Sequence, residues 1–147
     1  MVVLCLLIAA GTAAGGAEDT LLEPEQAFRF SARLLADDTV EVNYRIADGY
    51  YLYKDRFSFK VEPEAVKLDS LEFPAAQWHE DEFFGRSEIY RREVTIRLHL
   101  PSPPSGRAVD LLAVSQGCAD IGVCYLPTTH RARLKAGSRR PAGRARQ

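Results

Sequence analysis

The sequence predicts an all-β protein, an immunoglobulin-like antiparallel β-sandwich with a cysteine hairpin and a cap loop. Apolar residues alternate with polar residues in most segments of the 147-residue chain, as in strands with one buried face. Glycine, proline and paired aspartates separate these segments at short intervals. No segment keeps a helical period, apart from one turn of helix over residues 24–28. Several short strands with such punctuation are typical of a sandwich.

Four segments show the alternation and a fifth is more uniformly apolar. Each places every second side chain on one face, which we expect to be buried. The fifth segment is "VDLLAVSQ", residues 109–116. The alternating apolar residues are Phe28, Phe30, Ala32 and Leu34; Val40, Val42, Tyr44 and Ile46; Phe57, Phe59 and Val61; and Val94, Ile96, Leu98 and Leu100.

The N-terminal segment is predicted to be a signal peptide covering residues 1–17. An apolar run from Val2 to Ala10 is followed by small residues, and cleavage is expected after Ala14 or Ala17. Nine apolar residues are too few to span a bilayer. No basic residue precedes the run, so a frayed apolar N-terminus is the alternative. Either cleavage removes Cys5 and leaves an even number of cysteines, which suits an exported chain.

The C-terminal segment, residues 135–147, is basic and contains no apolar residue larger than alanine. It cannot join a core, so we expect a disordered tail after a single folded domain over residues 18–134. A solvated tail is favoured over a tether to anionic lipid or an acidic partner. Five of the 19 basic residues lie in this tail, which leaves 14 basic against 20 acidic residues elsewhere. That acidic balance argues against a nucleic-acid partner.

The stretch "SQGCADIGVCYLP" predicts a hairpin in which Cys118 faces Cys124. If Ala119 pairs with Val123, a three-residue loop remains, and its last residue, Gly122, suits the left-handed position of such a turn. Directly opposed residues have Cα atoms about 4.5–5.5 Å apart, within reach of a disulfide. A disulfide between the two cysteines is therefore geometrically easy.

Three functions of this pair remain open on spacing alone. A structural disulfide closing so small a loop would restrict the unfolded chain by only about 2.4 kcal/mol. A short cross-strand disulfide near a turn also has the accessibility of an exchanging redox pair. A metal site would need further ligands, and His79, His99 and His130 lack ligand spacing. We expect no metal and no cofactor.

The segment "WHEDEFFGRSEIY", residues 78–90, is interpreted as a loop that turns at Gly85. Four polar residues stand beside two adjacent phenylalanines, which breaks strict alternation. One interpretation is an acidic surface turn with one phenyl ring anchored in the core. The other is a lid whose ring covers a reactive sulfur. Before it, "DGYYLYKD" contains Tyr50, Tyr51 and Tyr53, which either pack in the sandwich or line a site.

Together, "DGYYLY", "WHEDEFFGRSEIY" and "QGCADIGVCY" resemble, in this order, the N-terminal periplasmic domain of the DsbD family of thiol:disulfide interchange proteins. The resemblance covers roughly residues 24–134. It implies an immunoglobulin-like fold, a periplasmic location and a cysteine pair that passes reducing equivalents to partner proteins. The implied reductant is a thioredoxin-like domain or protein. The implied acceptors are periplasmic disulfide isomerases and the thioredoxin-like proteins of cytochrome c maturation. A non-catalytic exported binding module with a structural disulfide is the alternative.

The resemblance also assigns roles to residues. Cys124 matches the cysteine that forms mixed disulfides with partners, and Cys118 matches the resolving cysteine. Phe83 matches the cap-loop residue that shields the pair. Asp81 or Glu82 could raise the pKa of a neighbouring thiol by charge repulsion, or relay protons if one carboxyl is itself protonated. The remaining matched residues beside the cap or lining the site are Phe84, Tyr51 and Tyr53.

Two features depart from the family pattern. Phe84 stands where a tyrosine is expected, so a hydroxyl function at that position is lost. The 147 residues also contain neither membrane-spanning segments nor a C-x-x-C domain. We therefore expect electrons to come from a separate protein or from another part of a longer one. The basic tail favours a free-standing domain, because arginines outside a following membrane helix would oppose the positive-inside tendency.

Overall fold

The computed structural model describes residues 21–36, 38–63, 68–101 and 108–135. The predicted signal peptide, and all of the predicted tail except Lys135, lie outside these residues. The predicted helical turn is confirmed as α1, Pro24–Ala27, which is followed directly by the first strand. The strands are β1 Phe28–Ala36, β2 Thr39–Ile46, β3 Tyr50–Tyr53, β4 Ser58–Glu62, β5 Ser70–Glu72, β6 Gln77–Asp81, β7 Gly85–Tyr90, β8 Glu93–His99, β9 Val109–Ser115, β10 Gly117–Ala119, β11 Val123–Cys124 and β12 Thr128–Leu134; a 3-10 turn spans Lys54–Arg56.

The strands form three antiparallel sheets. The first has the order β1-β2-β8-β5, the second β11-β10-β3-β7-β6 and the third β12-β9-β4. Because β9 continues into β10 with only Gln116 between them, the second and third sheets adjoin. One buried cluster takes side chains from all three sheets, among them Val42, Leu52 and Leu111. The predicted immunoglobulin-like sandwich is confirmed.

The alternating pattern correctly predicted which faces are buried. In β2 every second residue from Val40 to Ile46 is buried, and β8 and β9 show the same alternation. In β1 the predicted residues point inward but are only partly covered beyond Phe28. Burial of large apolar side chains at about 25 cal/mol per Å² is the main stabilising contribution to such a core.

Strand β3 is buried on both faces, and this property positions the site. All four of its residues are buried. Tyr50 and Leu52 belong to the main core, whereas Tyr51 and Tyr53 belong to a second, smaller cluster. Since neighbouring side chains in a strand point to opposite faces, β3 separates the core of the sandwich from a site on the other side. The sequence left open whether the tyrosines pack in the core or line a site, and the strand divides them between both.

The expectation of a loop over residues 78–90 is wrong for most of that segment. Residues Gln77–Asp81 form β6, which pairs with β7, and only residues 82–84 form the turn. Neither phenyl ring enters the core, because Phe83 is 43% and Phe84 36% exposed. The hairpin lies at the edge of its sheet, where β6 has water on one face and the site on the other. Polar side chains therefore occur on both faces, and the period of two disappears from the sequence.

Candidate functional site

Cys118 and Cys124 form a disulfide across the predicted hairpin. The register is the predicted one, with Cys118 opposite Cys124 and Ala119 opposite Val123. The N–H of Gly122 donates to the carbonyl oxygen of Ala119 at 3.0 Å, and Gly122 has φ 86°. Glycine tolerates this left-handed conformation because it has no Cβ. The two Cα atoms are 4.0 Å apart, closer than the separation expected from ideal strand geometry.

The two sulfur atoms differ in their access to water. Cys118 is fully buried, in a cluster with Tyr51, Tyr53 and Ile89, whereas Cys124 is only partly buried against that cluster. Cys118 lies on β10 beside Tyr51 of β3, and Cys124 lies on the two-residue edge strand β11. A reagent approaching from solvent therefore reaches Cys124 first.

Gly117 brings β10 close to β3. A Cβ atom at this position would lie 2.2 Å from the carbonyl oxygen of Tyr51 and 2.7 Å from Cζ of Phe28. Both distances are shorter than any tolerable contact, so only glycine fits without movement of the backbone. The glycine before Cys118 thus explains how the disulfide can lie directly against the tyrosines of β3.

A carboxylate connects the cap turn to the two tyrosines. Oδ2 of Asp81 accepts hydrogen bonds from the hydroxyls of Tyr53 at 2.5 Å and Tyr51 at 3.0 Å. Oδ1 accepts the backbone N–H groups of Phe83 and Phe84, each at 2.9 Å. One side chain thereby fixes the cap turn and orients both hydroxyls.

The hydroxyl of Tyr53 continues this network to the sulfur atoms. Its oxygen lies 3.2 Å from Sγ of Cys118 and 3.9 Å from Sγ of Cys124. Its single hydrogen is donated to Asp81, so its oxygen remains free to accept a hydrogen bond. A thiol at Cys118 could supply that hydrogen once the disulfide opens.

The local environment shifts the titration of these groups in opposite directions. Burial, followed by the hydrogen bond to Asp81, raises the pKa of Tyr53 well above its ordinary value. Burial and the charge of Asp81 also raise the pKa of Tyr51 against an opposing bond from Tyr53. Burial of Asp81 would raise its pKa, but its four hydrogen bonds outweigh burial and hold the pKa below the usual range. Asp81 is therefore an anion and both tyrosines are neutral at physiological pH.

The other predicted cap residues lie in the turn that follows Asp81. The ring of Phe84 packs edge-to-face on Tyr53 at 4.9 Å between centroids, and Cζ of Arg56 lies over the Phe84 ring, 4.1 Å from its centre. Phe83 points into a shallow cavity of about 280 Å³ between the cap and the cysteine hairpin. The other residues lining this cavity include Tyr51, His79, Glu82, Ala119, Asp120 and Gly122.

Sequence reasoning missed several contributors. His79 packs against Tyr51 at 4.6 Å, and its Nε2 lies 3.8 Å from Oδ2 of Asp81. The sequence showed only that His79 lacks the spacing of a metal ligand, and the structure places it in β6 beside the site. Arg56 and Arg91 carry no motif that separates them from other surface arginines. Only the pairing of β6 with β7, together with the path of β3, reveals these neighbours.

The described parts of the chain contain no cluster of three or more His, Cys, Asp or Glu side chains able to hold a metal ion. Nor does any helix within the described ranges have the length and apolarity needed to cross a membrane.

Comparisons with known proteins identify the family of the chain. Residues 18–136 match the family model of the thiol:disulfide interchange protein DsbD, N-terminal. A DsbD from Ralstonia nicotianae is 41% identical over 140 residues, covering 93% of this chain and 23% of the relative. DsbD 1 of Pseudomonas aeruginosa is 39% identical, covering 90% of this chain and 22% of the relative. The chain thus spans about a fifth of the length of these relatives.

Solved structures show the same fold. The reduced N-terminal domain of DsbD from Neisseria meningitidis superposes with a TM-score of 0.73 at 36% identity, covering 80% of this chain and 92% of that one. The complex of the Neisseria DsbD N-terminal domain with the PilB N-terminal domain gives a TM-score of 0.63 at 37% identity, with coverages of 78% and 88%. Fold, cysteine hairpin and sequence agree: the chain belongs to the family of the N-terminal domain of the thiol:disulfide interchange protein DsbD.

Proposed function

We propose that the domain exchanges thiols and disulfides with partner proteins in the periplasm, passing two electrons through Cys118 and Cys124. The observation that carries this proposal is the asymmetry of the pair. One sulfur is fully buried beside the Tyr53 hydroxyl, and the other is partly exposed on an edge strand. A structural disulfide needs no such difference between its ends, whereas an exchanging pair needs one sulfur that partners can reach.

The exchange proceeds in two balanced steps. In the dithiol form, the thiolate of Cys124 attacks one sulfur of a partner disulfide, forming a mixed disulfide and releasing one partner thiolate. The thiolate of Cys118 then attacks Sγ of Cys124, forms the internal disulfide and releases the second partner thiolate. The partner gains two electrons and the domain loses them. The two protons given up by the domain's thiols are taken up by the partner's thiolates.

Asp81 and Tyr53 support the second step as a proton path. A thiol at Cys118 donates to the oxygen of Tyr53, whose own hydrogen is held by Asp81. As the proton leaves Cys118, Tyr53 can accept it and pass its own to the carboxylate. Glu82 borders the same cavity and provides a second carboxylate near the hairpin.

The cap turn controls access in this proposal. Phe83 and Phe84 stand between solvent and the tyrosine cluster, and Asp81 holds their backbone N–H groups. Displacement of this turn would expose the sulfur atoms to a partner, while the closed turn limits exchange with small thiols. Phe83 is assigned as the shielding residue and Phe84 as the residue that rests on Tyr53.

Exposed apolar side chains lie close in sequence to the accessible cysteine, Cys124. Ile121 is 62%, Val123 37% and Leu126 84% exposed, all within the cysteine hairpin or just after it. Exposed apolar residues grouped in this way are typical of docking surfaces. The Neisseria DsbD domain was solved in a complex with another protein domain. Here the partners are assigned as a thioredoxin-like reductant and, as acceptors, periplasmic disulfide isomerases and thioredoxin-like proteins of cytochrome c maturation.

We assign the mature domain to residues 18–134, preceded by a signal peptide over residues 1–17 and followed by a basic tail over residues 135–147. The match of the family model over residues 18–136 supports the domain limits. Export into an oxidising compartment suits a chain whose remaining cysteines form a disulfide.

Trapping of mixed disulfides tests the proposal and the two cysteine roles. A Cys118→Ser variant keeps the accessible thiol and lacks the resolving one, so it should accumulate a mixed disulfide with an oxidised thioredoxin-like protein. A Cys124→Ser variant should form little of this species, because its remaining thiol is buried. Equal trapping by both variants would reject the role assignment. No trapping by either, with both variants folded and reduced, would reject the function.

A further inference from the structure

Arg91 attaches the turn of the cysteine hairpin to the body of the domain. Arg91 directly follows β7, and its guanidinium forms two parallel hydrogen bonds with the carboxylate of Asp120. Nη1 lies 3.0 Å from Oδ2, and Nη2 lies 2.8 Å from Oδ1. Such a bidentate pair fixes orientation as well as distance. Asp120 is the first residue of the turn between the two cysteines.

The same guanidinium also contacts the strand beside Cys118. Its carbon lies 4.9 Å from the centre of the Tyr51 ring, and Nη1 reaches the carbonyl oxygen of Tyr50 at 3.4 Å. Tyr51 pairs in register with Cys118, and its hydroxyl binds Asp81. Arg91 therefore joins the hairpin turn to the strand that presents both tyrosines to the sulfur atoms.

Beyond Cys124 the chain is anchored by Tyr125, whose hydroxyl donates to the carbonyl oxygen of Leu22 and whose carbonyl oxygen accepts from Nε2 of Gln116. Within the described residues, the turn between the two cysteines has fewer contacts of its own. Strand β11 has two residues, and in the described part of the chain β10 is its one neighbour in the sheet. Among the described residues, the backbone contacts beyond that ladder include Gly122 N–H to Ala119, Tyr125 N–H to Gly117 and Asp120 N–H to Gly49. In the oxidised protein the disulfide itself adds a covalent connection between β10 and β11. Once it opens, only non-covalent contacts keep Cys124 opposite Cys118.

We propose that Arg91 is a positioning residue for the redox pair, holding the cysteine hairpin in place when the pair is a dithiol. The inference rests on the proposed function, since it concerns the reduced form. The disulfide already restrains the oxidised hairpin, so the Arg91–Asp120 pair contributes more to the stability of the reduced form. Removing it destabilises the dithiol more than the disulfide and moves the equilibrium toward the disulfide.

The size of the effect follows from the exposure of the pair. The Arg91 side chain is 30% and the Asp120 side chain 47% exposed, and exposed ion pairs contribute little on average. We expect this pair to contribute more to stability than the average exposed pair, because it is bidentate and the guanidinium also lies over the Tyr51 ring. We expect a threefold to tenfold change in the dithiol/disulfide equilibrium constant, where tenfold corresponds to about 30 mV for a two-electron couple.

The experiment measures this constant for the full chain in thioredoxin or glutathione redox buffers. The variants are Arg91→Gln, Asp120→Asn and the double variant, with Arg91→Lys as the conservative change. Arg33→Gln is the matched control, because it removes an arginine–glutamate pair between β1 and β2 that touches no site residue. Urea unfolding of each oxidised variant reports structural damage separately.

Both single variants should favour the disulfide by threefold to tenfold, and the double variant should shift no further than either single one. Arg91→Lys should change the equilibrium constant less than Arg91→Gln does, because lysine keeps the positive charge but loses the bidentate geometry. Arg33→Gln should match the wild type. Unchanged constants in both single variants, or shifts that simply add, would overturn the inference. Should Arg91→Gln not fold, Asp120→Asn alone decides by the same criterion.

Failure of this inference differs from failure of the proposed function. If the wild type titrates in these buffers and the variants match it, only the positioning role is wrong. If the wild type stays oxidised throughout, both the exchange function and the positioning role are wrong.

Discussion

The hydroxyl of Tyr53 lies 2.5 Å from Oδ2 of Asp81, so a charged group of the cap turn is one hydrogen bond away from the residue that contacts both sulfurs. Oδ1 of the same carboxylate holds the backbone of the turn. Movement of the cap turn therefore alters the hydrogen bond between Asp81 and the Tyr53 hydroxyl. In the same way, opening of the disulfide alters the hydrogen bonding of Tyr53 and, through Asp81, that of the cap turn.

A substitution of Asp81 can remove its negative charge and keep a hydrogen-bond acceptor for the cap turn. In Asp81→Asn the amide oxygen can still accept the N–H groups of Phe83 and Phe84, but the negative charge is gone. Because that charge disfavours a thiolate nearby, we expect the reduced variant to be alkylated severalfold faster by a small reagent near pH 7. The pH profile of iodoacetamide labelling measures this, with Glu62→Gln, which removes a carboxylate paired with Arg131 in the third sheet, as the control. Identical profiles would remove Asp81 from the electrostatics of the pair.

The same carboxylate predicts how stability depends on pH. The pKa of Asp81 is lower in the folded protein than its ordinary value, so the unfolded chain binds a proton more readily. The contribution of Asp81 is therefore present above about pH 3.9, the ordinary pKa of aspartate, and is lost as the pH falls through the folded value. Urea midpoints between pH 6 and 2.5 should fall less steeply in Asp81→Asn than in the wild type. Parallel curves would show that the four hydrogen bonds do not favour the charged form.

His130 predicts a second and separate pH window. Its ring stacks on Phe30 at 5.0 Å, and its buried Nε2 has no hydrogen-bond partner in the described part of the chain. Burial lowers its pKa, against an opposing effect of Glu25. Protonation thus favours the unfolded chain first, and stability falls as the pH drops below about 6.5.

His130→Phe keeps a flat ring and removes both the titration and the unpaired nitrogen. We expect this variant to lose less stability than the wild type between pH 7 and 5, measured by urea unfolding of the oxidised protein. His99→Phe provides a control for loss of a histidine whose two ring nitrogens both have hydrogen-bond partners. A wild-type loss that persists unchanged in His130→Phe would contradict the assignment.

The cap turn predicts a difference between large and small reagents. Phe83→Ala opens the cavity side of the turn, and Phe84→Ala uncovers the ring of Tyr53. We expect both variants to speed alkylation of the reduced cysteines by a bulky maleimide, with a smaller effect on iodoacetamide. Trp78→Ala, which removes a 63% exposed ring from the same hairpin, is the control. An unchanged maleimide rate in both variants would exclude shielding by the turn.

The exposed apolar side chains of the cysteine hairpin predict a difference between protein and small-molecule partners. In Leu126→Ser we expect kcat/KM for reduction by a thioredoxin-like protein to fall about threefold to tenfold, because a docking contact is lost. The rate with dithiothreitol should not change. Leu35→Ser removes an exposed leucine from β1 and should affect neither rate. Equal losses with both reductants would indicate damage to the hairpin instead.

The sequence predicts those parts of the structure that depend on local periodicity and turn chemistry. Alternation identified the inward faces of β1, β2, β4 and β8, and Gly122 at the end of a three-residue loop gave the register of Cys118 and Cys124. Strand β3 was not distinguished as a strand, because burial on both faces removes alternation. Hairpin β6–β7 was interpreted as a loop because polar residues lie on both of its faces, one toward solvent and one toward the site.

The resemblance to the family identified site residues that the periodicity of the sequence could not identify. Tyr51, Tyr53 and Asp81 are distant from the cysteines in sequence, and the pairing of β6 with β7, of β7 with β3 and of β3 with β10 brings them together. The contact of Arg91 with Asp120 spans 29 residues and leaves no trace in either local pattern. The need for glycine at Gly117 appears only when the distance to the backbone of Tyr51 is known.

The most direct test of the account is the equilibrium potential of the Cys118/Cys124 pair, measured by titrating the purified domain against thioredoxin and glutathione buffers. An exchanging pair should pass from disulfide to dithiol at a potential above about −300 mV. A pair that remains oxidised well below that potential would behave as a structural disulfide, and the exchange function would be contradicted.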